Sequence, residues 1–171
     1  PGGGSPASFF DCIVVGALYF GPLLVVGLAA GGAIERLFAR RHGRAPDHSA
    51  LLVIVLLYTL ALPPTLPLWK TALGAALAIA VGKEIFGGVG RNLLNPPLTG
   101  LALLYFAYPG ALTGDAVWVA VDAMSGATPL GFVRGGGLSG LEAAGIRWSQ
   151  AALGTVPGAM GATSPLACLL G

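Results

Sequence analysis

Charge is scarce in this 171-residue sequence, and its scarcity excludes most soluble classes of protein. Only 9% of the residues are charged, whereas 55% are hydrophobic and the mean hydropathy is +0.81. An ordinary soluble domain carries about 25% charged residues. With so few polar side chains the chain cannot cover its own surface, so lipid or protein must cover it. We expect one partial transmembrane domain over residues 1–171, in contact with membrane lipid.

Residues that bind metals or nucleic acids are also few. The formal net charge of +2 is too small to indicate a nucleic-acid partner. Cys12 and Cys168 are the only cysteines, and they lie far apart without a CxxC motif or a histidine at metal-ligating spacing. We expect both to be buried apolar thiols, and we predict no metal site.

Glycine and proline, by contrast, are abundant, with 28 and 13 residues. In a membrane, small residues let helices approach closely, and broken helices are tolerated where they line cavities within the protein. The recurring pattern here is a short apolar helix, a Gly/Pro-rich break and another short helix. Channels and transporters built from discontinuous helices show this pattern. The sequence therefore predicts an all-α integral membrane fold with short and broken transmembrane helices.

The first apolar segment is long enough to cross a membrane. Residues 12–34 contain no charge, and about 23 residues can span about 30 Å of hydrocarbon. An arginine-rich stretch follows, and we interpret residues 35–48 as a basic cytoplasmic loop. Residues 1–6 lack the basic region of a signal peptide, and we interpret residues 1–8 as a flexible N-terminal segment.

The later helices are shorter. Asp47 is predicted to cap a helix that reaches Leu62, about 14 residues and too short for a straight span. Pro63 and Pro64 then remove consecutive amide donors. Either a half-helix is followed by irregular backbone, or a full span is kinked at the prolines, and both alternatives stay open. Further helices are predicted over residues 69–86 and 98–108, and an extramembrane loop over residues 131–147.

Lys83 and Glu84 are two adjacent charges at the end of an apolar helix. An ionisable residue at membrane depth is costly and indicates function, so Glu84 is our candidate for an ion pathway. Adjacent positions do not share a helix face, so each residue needs its own partner. The alternative is that both side chains reach the membrane interface.

Two further segments offer polar side chains. Arg91, Asn92 and Asn95 lie in a glycine-rich break and suit a phosphate or another anionic group. Alternatively, the Asn side chains satisfy carbonyls that Pro96 and Pro97 leave unpaired, and both roles can hold together.

The second segment, residues 122–128, is a turn of small residues with two hydroxyls, those of Ser125 and Thr128. Asp122 could accept a hydrogen bond from either. No histidine lies near in the sequence to act as a base, so we predict no catalytic residue, and the residues alone favour a structural turn.

Several segments, in order along the chain, resemble one protein family. They are residues 83–98, 106–109 and 125–130, with residues 62–69 and 161–168 fitting the same pattern. The family comprises the B subunit of sodium-translocating NADH:quinone oxidoreductases and the related D subunit of Rnf electron-transport complexes. Residues 62–69 and 106–109 favour the first of these two branches.

The resemblance implies a cofactor and its attachment site. In this family the last threonine of the motif formed here by Asp122, Ser125, Gly126, Ala127 and Thr128 is joined to FMN by a phosphoester bond. A dedicated flavin transferase makes the bond. The resemblance also implies a riboflavin, a quinone site with ubiquinone as substrate, the other subunits of a respiratory complex, and a multi-pass location in the bacterial inner membrane.

The resemblance further implies a ten-helix fold of two inverted halves, like that of urea and ammonium channels. Family members are about twice as long as this chain, and residues 169–171 end within an apolar run, so we expect a fragment carrying about half of that fold. One departure is Ala162, where the family commonly has a glutamate.

The expected function is that of a membrane subunit that passes electrons through covalent FMN toward ubiquinone, coupled to Na⁺ transport. We expect no activity from this chain alone. The alternatives are the D-type subunit of an ion-translocating ferredoxin:NAD oxidoreductase, and a flavin-free channel or transporter of similar fold.

Overall fold

A computed structural model describes residues 9–91 and 93–113, together with the isolated residues 133, 134, 137, 139, 145, 149 and 169. Four α-helices lie in this part of the chain: α1 (Phe9–Arg41), α2 (His48–Leu60), α3 (Leu68–Ile79) and α4 (Pro96–Ala107). A π-helical turn over Ala80–Glu84, called the π-turn below, continues α3, and a 3-10 turn over Pro109–Ala111 follows α4. No strand occurs among the described residues, in agreement with the predicted all-α fold.

Consecutive helices run in opposite directions. A Cβ atom on Gly31 of α1 would lie 3.2 Å from Leu51 at the start of α2 and 3.3 Å from Ile79 at the end of α3. Near the other end, the Tyr58 hydroxyl donates to the Thr71 carbonyl at 3.2 Å. We call the two ends the arginine end (residues 35–48, 80–91 and 93–96) and the aromatic end (residues 58–70 and 104–112).

Helix α1 is much longer than its neighbours. Its residues Ile13–Arg41 are long and apolar enough to cross a membrane, with a mean hydropathy of 2.3 over the most apolar 18 residues, and no other helix of the described chain is. At 1.5 Å per residue α1 measures about 50 Å, whereas α2 measures about 20 Å. The helix continues through the first half of the predicted loop, so only residues 42–47 connect α1 to α2.

Glycines allow the helices to approach closely at their contacts. A Cβ atom on Gly27 would lie 2.9 Å from Val55 of α2, and one on Gly100 would lie 2.5 Å from the carbonyl oxygen of Gly74 in α3. Small residues at such contacts are typical of helices packed in a membrane. The glycine content noted in the sequence therefore serves, at these positions, the packing of α1 on α2 and of α3 on α4.

The chain breaks at the double proline and does not kink there. Helix α2 ends at Leu60, residues 61–67 form turns, and α3 begins at Leu68 in the opposite direction. Pro63 and Pro64 lack amide protons and cannot continue the ladder of α2. Leu62 and Leu66 are buried under this turn and anchor it to the core. Of the two alternatives, the structure supports the half-helix followed by irregular backbone.

The helix predicted over residues 69–86 is α-helical only as far as Ile79. Beyond it the amide of Ile85 donates to the carbonyl of Ala80 at 3.0 Å, five residues back, which defines the π-turn. Helix α4 starts earlier than predicted, at Pro96. Its first two residues are prolines, which are tolerated there because the first amides of a helix have no partner within it.

Candidate functional site

Four charged side chains meet at the arginine end, and we call them the charge cluster. Glu35 comes from α1, Arg44 from the loop between α1 and α2, and Lys83 and Glu84 from the π-turn. Glu35, Lys83 and Glu84 are at most 3% exposed. Charged residues are almost never this deeply buried unless they are paired, so the role of the cluster depends on the partners of these residues.

The charge cluster consists of two ion pairs side by side. Lys83 Nζ donates to Glu35 Oε1 at 2.7 Å, and the same oxygen accepts the backbone N–H of Asp47 at 2.6 Å. Arg44 Nη2 donates to Glu84 Oε2. Lys83 Nζ also lies 3.9 Å from Glu84 Oε1 and so stands between the two carboxylates. With two charges of each sign, the cluster is formally neutral.

The π-turn explains how two adjacent charged residues can both be buried. A π-turn adds a residue to one helical turn and often marks a functional site. Within it, Lys83 turns toward α1 and Glu84 toward the Arg44 loop, so each residue has its own partner, as the sequence indicates. The alternative, in which both side chains reach the membrane interface, does not fit their burial.

Two carboxylate oxygens of the cluster have no hydrogen-bond partner among the described residues. They are Glu35 Oε2 and Glu84 Oε1, both buried. Buried polar atoms in proteins are nearly always satisfied, so such orphans call for an explanation. Chemically, two buried carboxylate oxygens beside a neutral network offer a place for a proton, a water or a monovalent cation.

The glycine-rich segment after the π-turn makes room for Arg44. Gly88 has φ +96°, a conformation that favours glycine, and a Cβ atom there would overlap the guanidinium of Arg44. Its amide donates to the Lys83 carbonyl at 3.1 Å. Gly88 is therefore placed where both its backbone conformation and the Arg44–Glu84 pair require the absence of a side chain.

Two of the three predicted anion-binding residues of this segment are on the surface. Arg91 and Asn95 are both exposed, and Asn92 lies outside the described residues. Asn95 precedes α4 without a capping hydrogen bond from its side chain, while its carbonyl accepts from the Thr99 hydroxyl at 2.9 Å. An anion site at Arg91, Asn92 and Asn95 stays a prediction.

Pro96 and Pro97 are the first two residues of α4, where amides have no helical acceptor. They therefore leave no carbonyl of that helix unpaired. The alternative role of the Asn side chains stays a prediction.

The flavin-attachment motif lies outside the described residues. This applies to Asp122, Ser125, Gly126, Ala127 and Thr128. The N-terminal segment 1–8 lies outside as well, and so does most of the predicted extramembrane loop 131–147. These assignments stay predictions.

Two members of the charge cluster are not evident from the sequence. The sequence pattern groups Glu35 and Arg44 with the cytoplasmic arginines, although Glu35 directly follows the uncharged stretch of α1 and is the first ionisable residue after it. That position is the available signal, because a carboxylate at the edge of a span needs a partner.

The Asp47 cap is confirmed. Its carboxylate accepts from the Ala50 amide at 3.0 Å and from the Ser49 hydroxyl at 2.8 Å. These two hydrogen bonds, the first above all, hold the pKa of Asp47 below its ordinary value.

Comparison with known proteins agrees with the resemblance noted in the sequence. The NQR2, RnfD, RnfE family matches residues 5–171. The chain belongs to this family. Its membership, with the long apolar helix α1 and the all-helical described residues, identifies an all-α membrane fold.

Individual relatives are named as the B subunit of Na(+)-translocating NADH-quinone reductase. The chain is 46% identical to that protein of Azotobacter vinelandii and 45% identical to that of Pseudomonas aeruginosa, each over 171 residues and 99% of this chain. It is 47% identical over 170 residues to that of Chromohalobacter salexigens. The chain spans 41–42% of the length of these relatives.

Proposed function

We propose that this chain is part of the membrane electron-carrying subunit of a sodium-pumping NADH:quinone oxidoreductase. In this proposal FMN is covalently bound to Thr128, and electrons pass through it toward ubiquinone, coupled to Na⁺ transport. The observation that carries the proposal is the 46% identity over 99% of the chain to a relative named for that activity. Residues 62–69 and 106–109 favour the same branch of the family.

The chemistry of the Thr128 segment suits a tethered flavin. A hydroxyl on a turn of small residues is open both to a flavin transferase and to the flavin phosphate, and the phosphoester then holds the cofactor without a deep pocket. FMN supplies the electron chemistry when bound, and the protein positions it. Asp122, Ser125, Gly126 and Ala127 complete the attachment motif, and Arg91, Asn92 and Asn95 are further candidates for contact with a flavin.

Glu84 is the candidate for the ion pathway. Three observations support it: the side chain is 3% exposed, its Oε1 lacks a partner among the described residues, and it lies in a π-turn. Lys83 and Arg44 balance the charge of the two buried carboxylates and hold them in place. An ionisable group kept at this depth despite its desolvation cost is typical of ion-translocating proteins.

The proposal also includes the surroundings of the chain. We place it in the bacterial inner membrane as a multi-pass segment, beside the other subunits of the complex and a quinone, with riboflavin as a second flavin. We take the described helices as part of one half of a ten-helix inverted repeat. The antiparallel order of four helices with a break between α2 and α3 supports this arrangement.

The flavin attachment can be tested directly. The full-length subunit is coexpressed with the flavin transferase, and the denatured protein is examined by electrophoresis under ultraviolet light. We expect a fluorescent band that Thr128→Ala removes. Thr113→Ala, the same substitution outside the motif, should leave the band unchanged. Fluorescence that survives Thr128→Ala would show that the assignment is wrong.

A second candidate is the D-type subunit of an Rnf complex, because the matching family includes RnfD. The electron partner would then be ferredoxin instead of quinone. Quinone reduction by the purified complex distinguishes the two. A flavin-free channel of similar fold would be indicated by the absence of a flavin absorbance band from fully matured protein.

A further inference from the structure

One face of α1 is exposed along most of the helix. This face is apolar over most of its length and basic at its C-terminal end. The exposed residues recur every three or four positions through Pro22, Val25, Ala29, Ala33 and Leu37, all of them apolar. We call this face the α1 stripe. Its spacing matches the 3.6-residue period of a helix, so the stripe is a continuous surface along one side of the described helices.

Arginines continue the α1 stripe at the arginine end. Arg36 and Arg40 are exposed and four residues apart, on the same face as Leu37, which is 52% exposed; Arg41 is exposed beside them. An exposed apolar residue between arginines, directly after a span, is typical of a membrane–water interface. This face therefore passes from acyl-chain surroundings to the headgroup region.

The Arg36 side chain points back toward the apolar part of α1. In an α-helix the Cα–Cβ bonds tilt toward the N-terminus, and here the N-terminal side is the membrane interior. Arg36 shows the effect, since its Nη1 lies 3.7 Å from the Cβ position of Gly32, one turn earlier. A guanidinium directed this way lies along the surface of α1, where an anion at the membrane surface can reach it.

The protein does not supply that anion within the described residues. Glu35 is paired with Lys83, and Glu84 with Arg44. Asp47 accepts hydrogen bonds from Ala50 and Ser49. In residues 9–91 and 93–113, no ion pair involves Arg36, Arg40 or Arg41. The carboxylates of the arginine end thus have partners within the protein, whereas Arg36, Arg40 and Arg41 have no ion-pair partner among the described residues.

The partial negative charge at the C-terminal end of α1 does not serve as the anionic partner of all three arginines. Carbonyl groups of the last turn attract Arg40 and Arg41. Arg36 lies before that turn, and the dipole effect falls off within one turn. At least Arg36 is left without a negative partner from the described chain.

We propose that Arg36, Arg40 and Arg41 bind the phosphate groups of anionic phospholipids at the arginine end of α1. A guanidinium presents paired donors that match phosphate oxygens. Basic residues next to a span attract anionic headgroups. The continuous α1 stripe favours lipid over an acidic protein, because one face then meets acyl chains along its length and headgroups at its end. The proposal does not depend on the flavin or ion assignments.

The test uses the full-length subunit in its complex, reconstituted in nanodiscs of phosphatidylcholine with a minor fraction of phosphatidylglycerol. Phosphatidylglycerol retained after extraction is counted by native mass spectrometry. In a triple variant, Arg36→Gln, Arg40→Gln and Arg41→Gln, we expect the apparent affinity for phosphatidylglycerol to fall about fivefold per arginine removed. Lys70→Gln, at the aromatic end, serves as the matched control and should retain the wild-type amount.

Two further measurements keep the outcome decisive. If the triple variant does not assemble, a salt titration of the wild-type complex replaces it, and retention of phosphatidylglycerol should fall as salt rises. A variant with lysine at the three positions keeps the charge and should retain part of the lipid. The proposal is overturned if retention is the same in wild type and glutamine variant, or is insensitive to salt. Loss of an acidic subunit with unchanged lipid retention would likewise overturn it and assign the arginines to a protein contact.

Discussion

The arginine end and the aromatic end each contain a lysine, and the two lysines differ in burial. At the arginine end Lys83 is fully buried and donates to Glu35 at 2.7 Å. At the aromatic end Lys70 is half-buried, with Nζ 5.4 Å from the ring centroid of Trp69 and 5.0 Å from that of Tyr108. The two rings are edge to face, with centroids 5.3 Å apart. Lys83 is thus removed from water, whereas Lys70 stays partly in contact with it.

The difference distinguishes residues that anchor a helix at the membrane surface from residues that take part in chemistry inside the protein. Aromatic residues with a lysine are common at membrane–water interfaces, where each side chain keeps contact with water. Burying two ion pairs, in contrast, costs desolvation that their attraction only partly offsets. The charge cluster is therefore weak evidence for stability and stronger evidence for function, which is why we propose Glu84, and not Lys70, for the ion pathway.

The largest effect should come from breaking the Lys83–Glu35 pair. Lys83→Met leaves an uncompensated buried carboxylate, and we expect a loss of about 3–5 kcal/mol in the free energy of unfolding. Lys70→Met should cost about 1 kcal/mol, because it removes only cation–π contacts at a half-exposed site. Thermal unfolding of the purified complex measures both. Adding Glu35→Gln to Lys83→Met should recover most of the loss, and equal losses for the two lysines would contradict the comparison.

A smaller effect is expected where helices touch through glycine. Gly100→Ala places a Cβ atom 2.5 Å from the Gly74 carbonyl oxygen and 2.7 Å from Ala78, so we expect a cost of about 1–3 kcal/mol. Gly110→Ala is the control, because nothing lies within 4 Å of its Cβ position. The yield of folded complex in size-exclusion chromatography should fall only for Gly100→Ala. Equal yields would mean that α3 and α4 are further apart than described.

The Arg44–Glu84 pair should contribute less than the Lys83–Glu35 pair. The Arg44 side chain is 33% exposed, so water partly screens the pair. We expect Arg44→Gln to cost about 1–2 kcal/mol. Arg91→Gln, an exposed arginine without an ion pair in the described chain, should change stability by less than about 0.5 kcal/mol. The same unfolding measurement ranks the three charges, and an Arg44 effect above that of Lys83 would reverse the assigned order.

The smallest effect should be a pH dependence at the cap of α2. Hydrogen bonds from the Ala50 amide and the Ser49 hydroxyl lower the pKa of Asp47 below 3.8. A carboxyl whose pKa is lowered in the folded state stabilises the fold at pH values above its ordinary pKa. This contribution is lost as the pH falls through the lowered pKa. Hydrogen exchange at the Ala50 amide, corrected for its intrinsic rate, should therefore accelerate only at low pH. Asp47→Asn keeps a capping oxygen that does not titrate and should abolish this dependence.

The sequence predicted the features that depend on local chemistry. The uncharged residues 12–34 mark the span within α1, Asp47 caps α2, and Pro63 with Pro64 ends that helix. Each follows from the neighbours in the chain alone. The family resemblance, confirmed by the match over residues 5–171, depended on ordered motifs and needed no knowledge of the fold.

The charge cluster could not be predicted in the same way. Lys83 and Glu35 are 48 residues apart, and Arg44 and Glu84 are 40 apart. These pairs exist only because α1 continues past the end of α3, so that Glu35 lies beside the π-turn, and because the loop after α1 brings Arg44 to Glu84. The π-turn itself leaves no signature in the apolar pattern, since it changes the helical period over only five residues. A need for partners at Lys83 and Glu84 was predictable, and their identities were not.

The central claim, a flavin bound covalently at Thr128, is tested most directly by mass spectrometry. The full-length subunit is matured with the flavin transferase and digested, and the peptide containing Thr128 is measured and fragmented. We predict a mass increase of one FMN less one water, localised by fragmentation to Thr128. An unmodified Thr128 peptide, or a flavin localised to Ser125, would contradict the account.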